Sequence, residues 1–261
     1  MKSVLCCVLL ISGSPFVQAQ SRFDGAWKID LAESEAPTKP EVYLLQDGTY
    51  HCTTCDPPLD IRADGRDQKI TGEACYDTVS LKVVDDRTTE ETDKRIGKAV
   101  GTSKMTVSSD GNSATVEWME SCNANGDVIS GTLILSRETK GPRGSHAVSG
   151  SWQIVKRVKL SENALLITLK LEGDTFSFAD PTGQSYAARL DGTPTPIKGD
   201  LTNAMVSLKR IGENTIEEIE KHDGKVVKVT RFTLSADGKT VTISMENKAK
   251  GSVRQFIAHK Q

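Results

Sequence analysis

The chain has 261 residues, with 33 Lys and Arg against 35 Asp and Glu and a formal net charge of −2. Basic and acidic side chains are interspersed along its length. That pattern lacks the electrostatic footprint of nucleic-acid binding and gives no reason to expect an anionic membrane surface as partner.

In chain order, residues 1–19 read as an export signal. Lys2 supplies the positive start, Val4 to Ile11 the apolar run, and Val17-Gln18-Ala19 a small-residue cleavage site, with cleavage expected after Ala19. The run is too short to span a bilayer. Cys6 and Cys7 lie inside it, so no cysteine stands where a lipid anchor would need one. The predicted product is exported, to the periplasm or the extracellular space, and has no membrane span.

Cys52, Cys55, Cys75 and Cys122 remain after processing. Nearly every later segment reads as strand. Leu165–Leu171, Lys225–Leu234 and Thr240–Met245 are short, rich in β-branched residues and bounded by Gly, Asp or Asn. Asp110-Gly111, Asp223-Gly224 and Asp237-Gly238 predict two-residue turns. The stretch Glu138–His146 is a break.

The chain is also written twice. Val79-Ser-Leu-Lys82 returns as Val206-Ser-Leu-Lys209, and Thr106-Val-Ser-Ser-Asp-Gly111 as Thr233-Leu-Ser-Ala-Asp-Gly238, both at an offset of 127 residues (206 − 79). Over Val79 to Trp118 about 16 of 40 positions are identical to their partners. A period this long means two copies of a domain. The expected division is a first repeat at 20–139, a linker at 140–147 and a second repeat at 148–261.

Counting hairpin registers from the turns places Val206, Leu208, Ile219, Phe232, Leu234, Val241, Ile243 and Met245 on one face. In the first copy the same face takes Val79, Leu81, Met105, Val107, Val116 and Trp118. One apolar face on an antiparallel meander of this length predicts an all-β fold of two tandem up-and-down barrels.

Each copy opens with Gly-x-Trp: Phe23-Asp-Gly-Ala-Trp27 and Val148-Ser-Gly-Ser-Trp152. This resembles the opening of the lipocalin and fatty-acid-binding proteins, the calycin group. The whole chain is also similar to a set of uncharacterised secreted bacterial proteins with two such repeats. The resemblance implies that Trp27 and Trp152 plug the closed ends of ligand-holding barrels. It also implies an arginine packed on the tryptophan, with Arg137 the candidate and no equivalent in the second copy.

The register count puts Glu90, Glu217 and Lys228 on the apolar face, where a carboxylate beside a lysine would anchor a polar group of an otherwise apolar ligand. Glu91 and Glu218 are then expected to point outward. With Met105, Trp118, Phe232 and Met245, these residues form the candidate ligand-binding set, and a small apolar or amphipathic molecule is the expected partner. Trp118, matched by Met245, is either core or cavity wall.

The cysteines admit disulfides, a four-cysteine metal site or a redox pair at Cys52 and Cys55; disulfides are the default in an oxidising compartment, with connectivity open. A thiol couple would need a helix N-terminus to lower its pKa, and Asp56-Pro57-Pro58 offers none. The four histidines, His51, His146, His222 and His259, are scattered, and no nucleophile, phosphate-loop or zinc-protease motif is present. The reading is a non-enzymatic binding protein with no cofactor and no metal. The alternatives are an envelope interaction module with solid barrels, whose protein partner is unknown, and a metal or redox protein acting through Cys52 and Cys55.

Overall fold

The computed structural model describes residues 21–55 and 57–261, so the expected export signal lies outside the described residues. Twenty strands are present among them. The first half contains β1 (Gly25–Glu35), β2 (Glu41–Gln46), β3 (Thr49–Cys52), β4 (Leu59–Arg62) and β5 (Gln68–Lys69). It continues with β6 (Thr78–Asp85), β7 (Thr88–Arg95), β8 (Lys98–Val107), β9 (Ser113–Glu120) and β10 (Ile129–Lys140). The second half contains β11 (Gly150–Leu160), β12 (Leu166–Glu172), β13 (Thr175–Ala179), β14 (Ser185–Arg189) and β15 (Thr195–Pro196). It ends with β16 (Met205–Gly212), β17 (Thr215–His222), β18 (Lys225–Leu234), β19 (Thr240–Asn247) and β20 (Ser252–Lys260).

These strands build two ten-stranded antiparallel sheets, ordered β4-β3-β2-β11-β10-β9-β8-β7-β6-β5 and β14-β13-β12-β1-β20-β19-β18-β17-β16-β15. Each curls until its edges nearly meet. The Gly65 amide donates to the Leu81 carbonyl at 2.8 Å in one, and Gly192 to Leu208 at 2.9 Å in the other. The expected pair of antiparallel barrels is therefore present.

The expected division of the chain is corrected in one respect. The first strand of each repeat belongs to the other repeat's barrel. β1 pairs with β12 and β20, and β11 with β10 and β2. The first barrel is thus one continuous run, β2–β11, and the second is β12–β20 completed by β1.

The cause lies in the segment 141–149, which is short and bonded to the first barrel. The His146 amide donates to the Leu45 carbonyl at 2.9 Å, and Leu45 in turn donates to Ser149 Oγ at 2.9 Å. β11 therefore folds back beside β10, as consecutive antiparallel strands do. The gap left in the second barrel is filled by β1.

The two Gly-x-Trp corners are alike. Trp27 and Trp152 are fully buried, and each indole donates to the carbonyl four residues earlier, Phe23 at 2.9 Å and Val148 at 2.8 Å. Gly150 has φ +135°, and a Cβ there would lie 2.2 Å from the Thr139 carbonyl oxygen, so only glycine fits. The Arg137 guanidinium lies 3.9 Å above the Trp152 ring, and Lys260 plays that part on Trp27 at 5.1 Å. The second barrel thus has an equivalent of Arg137 that the sequence did not reveal.

The inner faces run as layers from plug to mouth. In the first barrel they are Val107–Ala114–Leu135, Thr89–Met105–Val116–Leu133, Glu91–Ser103–Trp118–Gly131 and Asp93–Gly101–Glu120–Ile129. In the second they are Leu234–Val241–Ala258, Ile216–Phe232–Ile243–Phe256, Glu218–Thr230–Met245–Arg254 and Glu220–Lys228–Asn247–Ser252. The expected inner residues hold their places on every strand except β7 and β17.

There the structure overturns the reading. Glu90 and Glu217 face outward and pair with Lys104 at 3.5 Å and Arg231 at 2.8 Å. Glu91 and Glu218 point inward, and Ile216 rather than Ile219 is fully buried. Asp223-Gly224 does close a two-residue turn, with His222 paired to Lys225. A β-bulge then slips the register by one before Glu220 meets Lys228, and the first copy repeats it between Asp93 and Lys94. One extra residue on one strand carries its partner's whole set to the opposite face. Asp110-Gly111 and Asp237-Gly238 sit in longer loops, closed by Ser108 to Ser113 and Ser235 to Thr240 at 2.9 Å each. These loops are centred as expected, so their registers are unchanged.

The exchanged strand has a direct test. Replacing Trp27 with Ala should cost about 3–5 kcal/mol and unfold the second barrel, although Trp27 belongs to the first repeat. Hydrogen exchange on the variant should show lost protection in β12–β14 and β18–β20 while β2–β10 stay protected. Loss confined to β2–β10 would contradict the pairing.

Candidate functional site

β1 runs out of the mouth of the second barrel and becomes β2 of the first. β11 runs out of the mouth of the first and becomes β12 of the second. These two crossings hold the mouths against each other. The Lys250 ammonium reaches Glu41 across the junction at 3.3 Å, and the Val253 amide donates to Thr38 Oγ1 at 3.0 Å.

Between the mouths lies a cavity of about 460 Å³. Trp118, Ile129, Leu133 and Ile154 line it from the inner face of the first barrel. Lys228, Met245, Arg254 and Phe256 line it from the inner face of the second, and Arg157, Lys159 and Leu160 from β11 between them. A smaller cavity of about 150 Å³ extends inside the second barrel along Tyr186, Glu218, Thr230 and Phe232, sharing Lys228, Met245 and Phe256 with the first. The chamber therefore continues into that lumen.

Of the expected ligand-binding set, Trp118, Lys228 and Met245 meet at the chamber. Phe232 lines the smaller cavity, and Met105 is buried one layer below Trp118. Glu90 and Glu217 are absent from both linings. Trp118 lies over Gly131, where a Cβ would sit 2.8 Å from the indole. Glycine there lets the ring lie flat across the neighbouring strand as a cavity wall.

The two mouths differ in charge. In the second barrel, Tyr186 Oη donates to the buried Glu218 carboxylate, whose pKa is raised by burial and held back by the nearby Lys228 charge. Glu220 forms an ion pair with Lys228. The hydroxyl of Thr230 is buried beside Glu218 without a partner at hydrogen-bond geometry.

At the first mouth, Gly101 occupies the repeat position of Lys228 (228 − 127 = 101), and the acids have no such cation. Burial pushes Glu91 up to about 7, with Asp93 adding to it, and Asp93 up to about 6, with Glu120 adding to it. Asp93 Oδ1 is buried with no hydrogen-bond partner among the described residues.

The arginines were not singled out by the sequence. Arg157 and Arg254 each place the guanidinium carbon 5.3 Å from the centre of the Phe256 ring. Burial lowers both pKa values, and the Arg157 charge lowers that of Arg254 further. A signal was available in the alternation Ser252-x-Arg254-x-Phe256-x-Ala258, which puts Arg254 on the face that carries the apolar residues.

The cysteines form two disulfides, Cys52–Cys55 and Cys75–Cys122. With all four sulfurs paired, a four-cysteine metal site is not formed. Asp30, Glu33 and His259 are the one trio whose donor atoms cluster within reach of a single cation among the described residues; it lies on the outside of the second barrel, with His259 already 3.0 Å from Glu33. None of the described helices is long and apolar enough to cross a membrane.

The Glu91 environment predicts a pH dependence. Its folded pKa is about 7 against an ordinary value of 4.5. The folded state therefore holds the proton more tightly between those values, and stability falls as pH rises through that window. Glu91→Gln should remove about 2–3 kcal/mol of this loss. Urea midpoints of the two proteins at pH 5 and pH 7.5 check it; an unchanged difference between the two pH values would refute the buried carboxyl.

No protein-family model matches the sequence, and no curated protein matches it either.

Proposed function

We propose that the chain is an exported, non-enzymatic binding protein that holds one small apolar or amphipathic ligand between its barrel mouths. The observation that carries this is the shared cavity: inner-face residues of both barrels line one space of about 460 Å³, within the range of small-molecule sites. The plug ends of both barrels are filled by Trp27 and Trp152 and by buried apolar layers. Those halves act as scaffold, and the ligand space lies at the mouths rather than deep in each barrel.

Export is supported by the N-terminal pattern of Lys2, Val4–Ile11 and Ala19 and by two disulfides, which persist in non-reducing compartments. The polar groups of the chamber are suited to orienting a ligand.

The neutral dye N-phenyl-1-naphthylamine tests the reading. It should bind saturably at one molecule per chain, because the chamber is shared. Trp118→Ala should weaken binding about tenfold, and more than Trp27→Ala does in whatever protein remains folded. Absence of saturable binding, or one equivalent site per barrel, would overturn the shared chamber.

A further inference from the structure

We infer that the ligand of the chamber carries an anionic head group, a carboxylate, sulfonate or phosphate, seated by Arg157 and Arg254 against the Phe256 ring. This rests on the chamber being the ligand site and adds the charge of what it takes.

The first observation is two cations without counter-ions. Arg157 and Arg254 lie over the same phenyl ring, each 5.3 Å from its centre. Neither forms an ion pair among the described residues. The one hydrogen bond of the Arg157 guanidinium goes to the Glu35 carbonyl, at 3.5 Å. The other charged groups facing the chamber do not relieve them. Lys228 is held by Glu220 and Lys250 by Glu41, the single carboxylate lining the larger cavity; Glu218, in the smaller one, is bonded by Tyr186; and Lys159 adds a third cation without an ion pair among the described residues. The acids of the first mouth are shifted by burial and by one another, not by either arginine.

Two guanidinium groups that line one cavity repel each other. A planar oxyanion bridging them would remove the repulsion and accept paired hydrogen bonds from both.

The second observation is that neither arginine is repeated. Gly131 stands in the first barrel where Arg254 stands in the second, each in the row that carries Trp118 or Met245. Counting from the Gly-x-Trp tryptophans (157 − 152 = 32 − 27), the partner of Arg157 is Ala32. Each barrel is built without one of the two guanidinium groups, so folding does not call for the pair. They come from β11 and β20, strands of different barrels whose residues line the same cavity. The head group therefore faces Phe256, and the apolar part of the ligand extends toward Trp118, Leu133 and Met245.

A matched pair of dyes separates charge from apolar fit. 8-Anilinonaphthalene-1-sulfonate is N-phenyl-1-naphthylamine with one added sulfonate. The sulfonate should bind the full chain at least about tenfold more tightly than the neutral dye, and the preference should shrink as salt is raised. Arg254→Gln and Arg157→Gln should each remove most of that preference, read as the ratio of the two affinities in the same variant, with near-ultraviolet circular dichroism reporting that the barrels are intact. Displacement of the sulfonate by dodecanoate or by dodecyl phosphate, read in parallel, shows which oxyanion the pair favours. Equal affinity for the two dyes, or a preference that survives both substitutions, would overturn the anionic head group and leave the chamber standing. Failure of the neutral dye to bind saturably would remove the chamber itself.

Discussion

Each barrel is sealed by an indole that the other repeat supplies. Trp27 completes the core around Phe176, Leu169 and Val241, and Trp152 the core around Val79, Leu81 and Leu135. A fully buried tryptophan is among the largest single contributions a small barrel can receive. Because each donor strand is tethered to the opposite barrel, the two cores are coupled through the backbone. The short connections at 36–40 and 161–165 then bring the two mouths together, and the chamber between them follows from that exchange.

On this shared scaffold the repeats have diverged where the layers reach the chamber. The plug halves remain alike, with the same glycine corner, the same indole-to-carbonyl hydrogen bond and a cation on each indole. The mouth halves do not match. Gly101 faces Lys228, Trp118 faces Met245, Gly131 faces Arg254 and Glu120 faces Asn247 in the correspondence of rows. The outcome is an acidic mouth opposite a mouth that carries Lys228 and Arg254, with aromatic and aliphatic walls between. Conservation of one end with divergence of the other between two copies in one chain is the pattern of a frame that is kept and a site that is tuned.

Much of this architecture could be read from alternation. Val206-Ser-Leu208, Phe232-Thr-Leu234 and Val241-Thr-Ile243 put every second residue on one side, and the structure keeps each of them inside. β7 and β17 were unreadable in the same way. Thr-Thr-Glu-Glu-Thr and Thr-Ile-Glu-Glu-Ile carry no period-two signal, so their phase hung on counting from the turns. A bulge is invisible to such a count, and it exchanged the roles of Glu90 with Glu91 and of Glu217 with Glu218. The arginines escaped notice for another reason: Arg157 acts on Phe256 from a strand about a hundred residues away, a proximity that local pattern does not encode.

By itself the chain determined a duplicated all-β fold, the apolar layers of most strands, the two tryptophan plugs and four cysteines suited to disulfides, because these depend on local periodicity, repetition and residue chemistry. Which repeat each first strand completes, which cysteines pair, and which charged groups meet at the mouths were decided only in three dimensions. Those outcomes depend on the length and bonding of the 141–149 segment and on single-residue bulges, whose effects appear only once neighbouring strands are in place.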